Sequence, residues 1–222
     1  MLGDAAEPSA NYLTTGTWSE SAVKEAKKYC NAHEVANNVK DKYAFIKPAE
    51  EWNIKPDATY FHFCDNETIQ GFEFTDFPFH VIPEKQLVVC DMSSNFCSKK
   101  INWSKYDVVY AGAQKNVGPA GVCIVIVKNE VLKRTARKDI PLTSDWALFS
   151  KAANTFHNTP CCWSIYMCGL NIAHMIEEGG IEKMAEKAAK RSSMLYDYID
   201  SSEGFYSNGI NKEFRSKMNI PF

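Results

Sequence analysis

The sequence predicts an α/β fold, a mainly parallel sheet flanked by helices. Short apolar runs at residues 59–64, 86–90, 106–110 and 122–127 have the length of strands. Most show too little polar alternation for a sheet wetted on one face, which implies strands buried on both faces. Short helical connections between such runs are the pattern of parallel strand pairing. Unusual polar residues stand directly after several of the runs, where strands of an open sheet end in a ligand-binding edge.

Residues 11–15 read as a strand that stops at Gly16-Thr17-Trp18. Residues 19–29 follow as a helix, with Ser19 as N-cap and apolar positions at Ala22, Val23, Ala26 and Tyr29. Lys55-Pro56 breaks the next segment. The strand at 59–64 gives way to the polar stretch 65–71, and the strand at 86–90 ends directly at Asp91. Two more strands follow at 106–110 and 122–127. From residue 162 the pattern turns helical: 163–175 is apolar, Gly179-Gly180 interrupts, and 181–199 is a long amphipathic helix. Ala185, Ala188, Ala189, Leu195 and Ile199 lie on its apolar stripe. The final residues, 213–222, read as a strand entering a new sheet. A domain boundary is expected near Gly179-Gly180.

Composition excludes several classes. Five tryptophans and 13 phenylalanines in a chain that is 45% apolar argue for a sizeable core and against disorder. A net charge of −2 with interspersed signs leaves no footprint for nucleic acid or an anionic membrane. No apolar run approaches the ~20 residues of a membrane span. The first residues lack the basic and apolar regions of a signal peptide, so the expected compartment is the cytoplasm. The eight cysteines form no CxxC pair and are expected as reduced thiols. The five histidines form no i,i+4 pair or HExxH, so no metal is expected; GxSxG and GxxxxGK[ST] are also absent.

Chemistry concentrates at the strand ends, in Trp18, Thr68, Asp91, Gln114 and Lys115. Lys115 stands between the apolar runs 108–110 and 122–127, with Gly118, Pro119 and Gly121 close behind it. A lysine so placed is expected to be desolvated, which lowers its pKa and suits it to Schiff-base chemistry with an aldehyde cofactor. Asp91 is either a helix N-cap or the partner of a buried cation, such as a protonated pyridine nitrogen that keeps its ring an electron sink. Trp18 is either a core tryptophan or a flat surface for a cofactor ring. Thr68 is a turn or capping residue, or a partner for a ring's phenolic oxygen. Asn158-Thr159-Pro160 is by itself a turn signal.

Five motifs together resemble the phosphoserine aminotransferase family, pyridoxal-phosphate (PLP) enzymes of the class V group. They are Tyr-Ala-Gly-Ala-Gln-Lys-Asn-Val-Gly-Pro-Ala-Gly at 110–121, Cys-Asp-Met-Ser-Ser-Asn at 90–95, Asn-Glu-Thr-Ile at 66–69, His-Asn-Thr-Pro at 157–160 and Arg-Ser-Lys-Met-Asn-Ile-Pro-Phe at 215–222. The resemblance runs nearly end to end. It implies the fold type I architecture, with 1–180 as part of the large PLP-binding domain and 181–222 as the start of a small α/β C-terminal domain. It implies that Lys115 carries the cofactor as a Schiff base and shuttles the proton between substrate and cofactor carbons. Asp91 would pair with the pyridinium nitrogen, Trp18 would stack on the ring, Thr68 would contact the ring hydroxyl and Gln114 would lie near the phosphate. Asn158 and Thr159 would reach the phosphate of the neighbouring subunit in a homodimer. The implied reaction moves an amino group from glutamate to 3-phosphohydroxypyruvate, giving phosphoserine and 2-oxoglutarate in L-serine biosynthesis. In some bacteria the family also serves pyridoxine synthesis.

The sequence departs from that family at both ends. It begins after the glycine-rich phosphate loop, lacks the N-terminal His-Arg substrate motif, and stops before the arginine that holds the substrate carboxylate. Of Arg134, Arg137, Arg191 and Arg215, only Arg215 falls in a family motif, whereas a phosphorylated dianion needs several arginines. An incomplete sequence is the expectation, with a non-catalytic remnant or scaffold as the alternative. A desulfurase-like class V enzyme is a third reading, disfavoured because no cysteine sits in a recognisable mobile catalytic loop. An open sheet edge also predicts poor solubility for this polypeptide alone.

Overall fold

The computed structural model of the chain describes residues 2–3, 7–152 and 156–222. A six-stranded sheet runs through it, its strands lying side by side in the order 31–37, 9–14, 60–64, 87–91, 108–112 and 123–127. The strands β1 (Ser9–Thr14), β2 (Asn31–Asn37), β3 (Tyr60–Cys64), β6 (Leu87–Asp91) and β7 (Val108–Gly112) pair in parallel. β8 (Cys123–Val127) pairs antiparallel with β7. A separate antiparallel ribbon is formed by β4 (Asn66–Glu67) and β5 (Phe72–Glu73). The helices are α1 (Thr17–Ala26), α2 (Asn129–Leu132), α3 (Trp146–Lys151), α4 (Cys162–Glu177) and α5 (Gly180–Asp200). This is the mainly parallel α/β architecture read from the apolar runs. No described helix is long and apolar enough to cross a membrane.

Strand alternation divides the side chains between two cores. Leu13, Phe61, Phe63, Cys90, Val109 and Ala111 face one way, into a cluster with Trp52, Phe72, Phe74 and Phe77. The rings of Phe63 and Phe77 stack there with centroids 3.8 Å apart. Ala10, Tyr12, Tyr60, Val89 and Val108 face the other way, against Val23 and Ala26 of α1 and Val131 of α2. Burying a phenylalanine contributes about 2 kcal/mol. Phe61 and Phe63, both wholly buried, therefore anchor β3 in the middle of the sheet.

Four elements differ from the sequence reading. Helix α1 starts at Thr17 after Gly16 and stops at Ala26, so Ser19 lies inside the first turn instead of capping it. Its hydroxyl turns back to accept from the Thr15 and Gly16 amides at 2.8 and 3.1 Å. β2 has no counterpart in the sequence reading. As an edge strand it buries only Val35, so its sequence carries no apolar run.

The segment 213–222 forms no strand. A 3₁₀ turn, Lys212–Phe214, leads to a single bridge between Phe72 and Arg215. The chain then docks on the β4–β5 ribbon, where the Ser216 amide donates to Gly71 (2.8 Å) and its hydroxyl to Asn66 (2.5 Å). The polar groups of this segment are thus satisfied largely by the β4–β5 ribbon, where the Lys217 amide also donates to Glu73 (2.8 Å), and not by a ladder of its own. β8, finally, is not buried on both faces: Val125 and Ile126 are each 39% exposed.

Candidate active site

Because β1, β3, β6 and β7 are parallel, their carboxyl ends meet at one edge of the sheet. Trp18 follows β1, Thr68 follows β4 just beyond the end of β3, Asp91 ends β6, and Gln114 and Lys115 follow β7. These five residues line one cavity, together with Cys64, Asn66, Ser93 and Ser94. Asn158 and Thr159 are exposed just before α4 and do not line it.

Glu67 brings two of these segments together. Its carboxylate is wholly buried and accepts from the Trp18 amide (2.9 Å), the Ser19 amide (2.8 Å) and the Ser19 hydroxyl (2.6 Å). It therefore caps the start of α1 from another part of the chain, doing what Ser19 was expected to do. Gln70 adds a bond from the Thr17 amide at 3.1 Å and one to the Thr17 hydroxyl at 2.7 Å. Gly16 makes this approach possible, since a Cβ there would fall 2.5 Å from the Glu67 carboxyl carbon. Trp18 and Thr68 are thus set by one polar joint. Burial pushes the Glu67 pKa up, and its Ser19 bonds pull it down.

Asn66 fixes the other side of the Thr68 loop. Its side-chain amide donates to Ser94 (2.7 Å) and to Asn219 (2.8 Å), while its backbone carbonyl accepts from the Ser94 hydroxyl (2.9 Å). Ser94 lies in the turn after Asp91, so the Asp91 and Thr68 loops are tied directly. Glu67, Asn66, Ser94 and Ser216 escaped the sequence reading as site-building residues. The available signal was the polar run Asp65-Asn66-Glu67-Thr68 directly after β3, in which Asp65, Asn66 and Glu67 are all buried and need partners.

Trp18 is 47% exposed, which removes the core-tryptophan reading. Its ring faces the cavity, with the Lys115 ammonium 5.4 Å from the ring centroid. The Lys115 amine also donates to the Thr68 hydroxyl at 2.5 Å. Lys115 is nevertheless exposed, against the desolvation expected from its flanking strands. The turn that carries it projects beyond the sheet edge, and its amine reaches into an open cleft. Gly118 packs this turn onto α4, because a Cβ there would lie 2.5 Å from Cys168 Sγ.

Asp91 Oδ1 accepts from the Ser93 amide at 2.8 Å, an Asx-type turn and not a helix cap. Cys64, in the cavity wall, has its thiol pushed well up by burial and then by Glu67 and Asp91. It is therefore no thiolate nucleophile. Arg215 does not line the cavity: it forks onto Asp200 at 2.8 and 2.9 Å, with its guanidinium 4.6 Å from the Tyr196 ring centroid.

The donor set fits a planar aromatic aldehyde with a basic ring nitrogen. It offers an exposed indole face, an amine, a hydroxyl beside that amine and a carboxylate on the neighbouring strand end.

The aminotransferase class-V family profile matches residues 6–222. The chain is 41% identical over 216 residues to phosphoserine aminotransferase 1, chloroplastic, of Arabidopsis thaliana, covering 97% of this chain and 49% of that protein. It is 38% identical over 223 residues to the probable phosphoserine aminotransferase of Dictyostelium discoideum, covering 100% and 59%. Among solved structures, the phosphoserine aminotransferase of Bacillus circulans subsp. alkalophilus superposes with a TM-score of 0.91 at 35% identity, covering 97% of this chain and 58% of that one. The PLP-bound phosphoserine aminotransferase of Trichomonas vaginalis also gives 0.91, at 36% identity, covering 100% and 60%. The chain spans about half the length of the Arabidopsis relative and three-fifths of the others.

Proposed function

The chain belongs to the class V aminotransferase family, and on that footing we propose that it forms the chemical centre of a phosphoserine aminotransferase. The reaction is transfer of an amino group from glutamate to 3-phosphohydroxypyruvate, giving phosphoserine and 2-oxoglutarate. The observation that carries the reading is the Lys115 amine between the Thr68 hydroxyl and the Trp18 ring, in the cavity that Asp91 also lines. Bound there, pyridoxal phosphate supplies an aldehyde for the amino group and a ring that withdraws electrons from the reacting carbon.

The chain's own residues then divide the work. Lys115 binds the aldehyde and moves the proton at its amine. Trp18 covers one ring face, Thr68 holds the ring oxygen and Asp91 holds the ring nitrogen in its protonated form. Gln114, in the cavity wall, serves the cofactor phosphate, and Asn158 and Thr159 serve the phosphate of a second subunit. Their exposure outside the cavity supports that role, as does the apolar surface of α4, where Trp163 is 70% and Ile176 is 67% exposed. Residues 1–180 are part of the large domain and 181–222 begin the small one, a division supported by left-handed Gly179 at the start of α5. The site of action is the cytoplasm, although the Arabidopsis relatives are chloroplastic by name.

One observation favours a second reading, a cofactor-binding scaffold without turnover. Among the described residues, no arginine lines the cavity to receive a dianionic substrate. An assay coupling 2-oxoglutarate formation to glutamate and 3-phosphohydroxypyruvate separates the two. Turnover supports the aminotransferase, and cofactor binding without turnover supports the scaffold.

A further inference from the structure

Behind Asp91, on the face of the sheet turned away from the large aromatic core, three strands carry a row of polar rings. Asp91 and Tyr110 are register partners on β6 and β7. His62 on β3 pairs with Val89, one pleat back from Asp91, and with Tyr12 on β1. Alternation therefore puts Tyr12, His62, Tyr110 and Asp91 on one face. The rings of Tyr12 and His62 are 4.8 Å apart, and those of His62 and Tyr110 are 6.1 Å apart and near parallel. His62 Nε2 lies 2.8 Å from the Tyr110 hydroxyl oxygen.

The direction of this bond follows from what His62 lacks. Its Nδ1 is buried and meets no partner among the described residues. A bare nitrogen lone pair is tolerated there far better than an N–H, because orphaned buried donors are rare. Burial pushes the His62 pKa down to about 4, so the ring is neutral and holds one proton. That proton sits on Nε2 and is donated to the Tyr110 oxygen. The phenol proton is then left for an acceptor other than His62, and the carboxylate beside it on the next strand is Asp91, its register partner. Burial first, and Asp91 next, push the Tyr110 pKa well up and keep the phenol protonated.

We infer that His62 and Tyr110 are positioning residues, a two-step hydrogen-bond relay that aims the Asp91 carboxylate from behind at the ring nitrogen of the cofactor. The inference rests on the functional reading above, in which Asp91 meets that nitrogen. The Ser93 amide holds Asp91 from the turn, and Tyr110, its register partner on the same face of the sheet, stands beside it. In this relay the phenol is the second donor after the Ser93 amide, and donors on two sides fix the direction of a carboxylate that faces a cation.

The test has one arm without cofactor and one with it. In the cofactor-free chain, nitrogen NMR of labelled histidine should show His62 neutral with Nε2 protonated, and the Tyr110→Phe chain should shift that signal. In the second arm, pyridoxal phosphate affinity and the nitrogen-15 shift of the bound ring are measured for Tyr110→Phe, His62→Leu and His62→Gln. Glutamine keeps a donor near the Nε2 position. The first two substitutions should weaken binding about tenfold or more and move the ring-nitrogen signal, and glutamine should restore both. An Nδ1-protonated His62 overturns the relay, as does equal affinity and signal in all four chains. A wild-type chain that takes up no pyridoxal phosphate overturns the functional reading instead, and the role of the relay with it.

Discussion

Lys115 was legible in sequence as a residue but not in its environment. Apolar runs on either side implied burial, yet the turn leaves the sheet edge and the amine is exposed between Thr68 and Trp18. Strand pattern reports where a turn begins and says little about how far it projects. His62 is the converse case. Its place in an alternating strand gave no sign of chemistry, because its partner Tyr110 lies on a strand two places away in the sheet. Its burial has a measurable consequence. The unfolded ring takes up a proton near pH 6.5, whereas the folded ring does so only near 4. Stability is therefore complete above the unfolded value and is lost as pH falls through that window, by about 3 kcal/mol from this residue. Urea unfolding at pH 7 and pH 4.5 should show the loss, and His62→Gln should flatten it. Identical pH dependence in the two chains would contradict the assignment.

At the scale of elements, the strands that build the site were readable, and the joint that aligns them was not. Residues 59–64 and 86–90 are strands within a residue of their sequence bounds, because each is a short, mostly apolar run with a buried centre. The α1 cap comes from Glu67, far along the chain, and capping rules see only local neighbours. Glu67→Ala would strand buried donors at Trp18 and Ser19, and should cost about 3 kcal/mol in chemical unfolding. It should also weaken pyridoxal phosphate binding, since Trp18 loses its anchor. Gly16→Ala drives a methyl into the same carboxylate and should cost about 1–3 kcal/mol. Stability unchanged within 0.5 kcal/mol, roughly the spread of neutral surface changes, would show that the joint carries no load.

For the whole molecule, the parallel α/β order followed from composition and run length, and poor solubility was expected from an open sheet edge, but the exposed apolar face of α4 was not foreseen. Trp163, Tyr166, Leu170 and Ile176 on α4 and Val125 and Ile126 on β8 are open to solvent in the single chain. Periodicity marks an apolar stripe without saying whether the covering surface lies in the same chain. This chain should therefore self-associate in sedimentation experiments at micromolar concentration, and Trp163→Glu with Leu170→Glu should reduce the association at least tenfold. Monodisperse monomer for the wild type would contradict that expectation and the shared-site dimer with it.

The cofactor site stands or falls on one amine, that of Lys115. Borohydride reduction of the chain after incubation with pyridoxal phosphate, followed by peptide mass spectrometry, should place a single phosphopyridoxyl group on Lys115. Lys115→Ala should lose both that adduct and the yellow absorption that precedes it. Labelling spread over surface lysines, or colour retained in Lys115→Ala, would contradict the assignment of this cavity as the cofactor site.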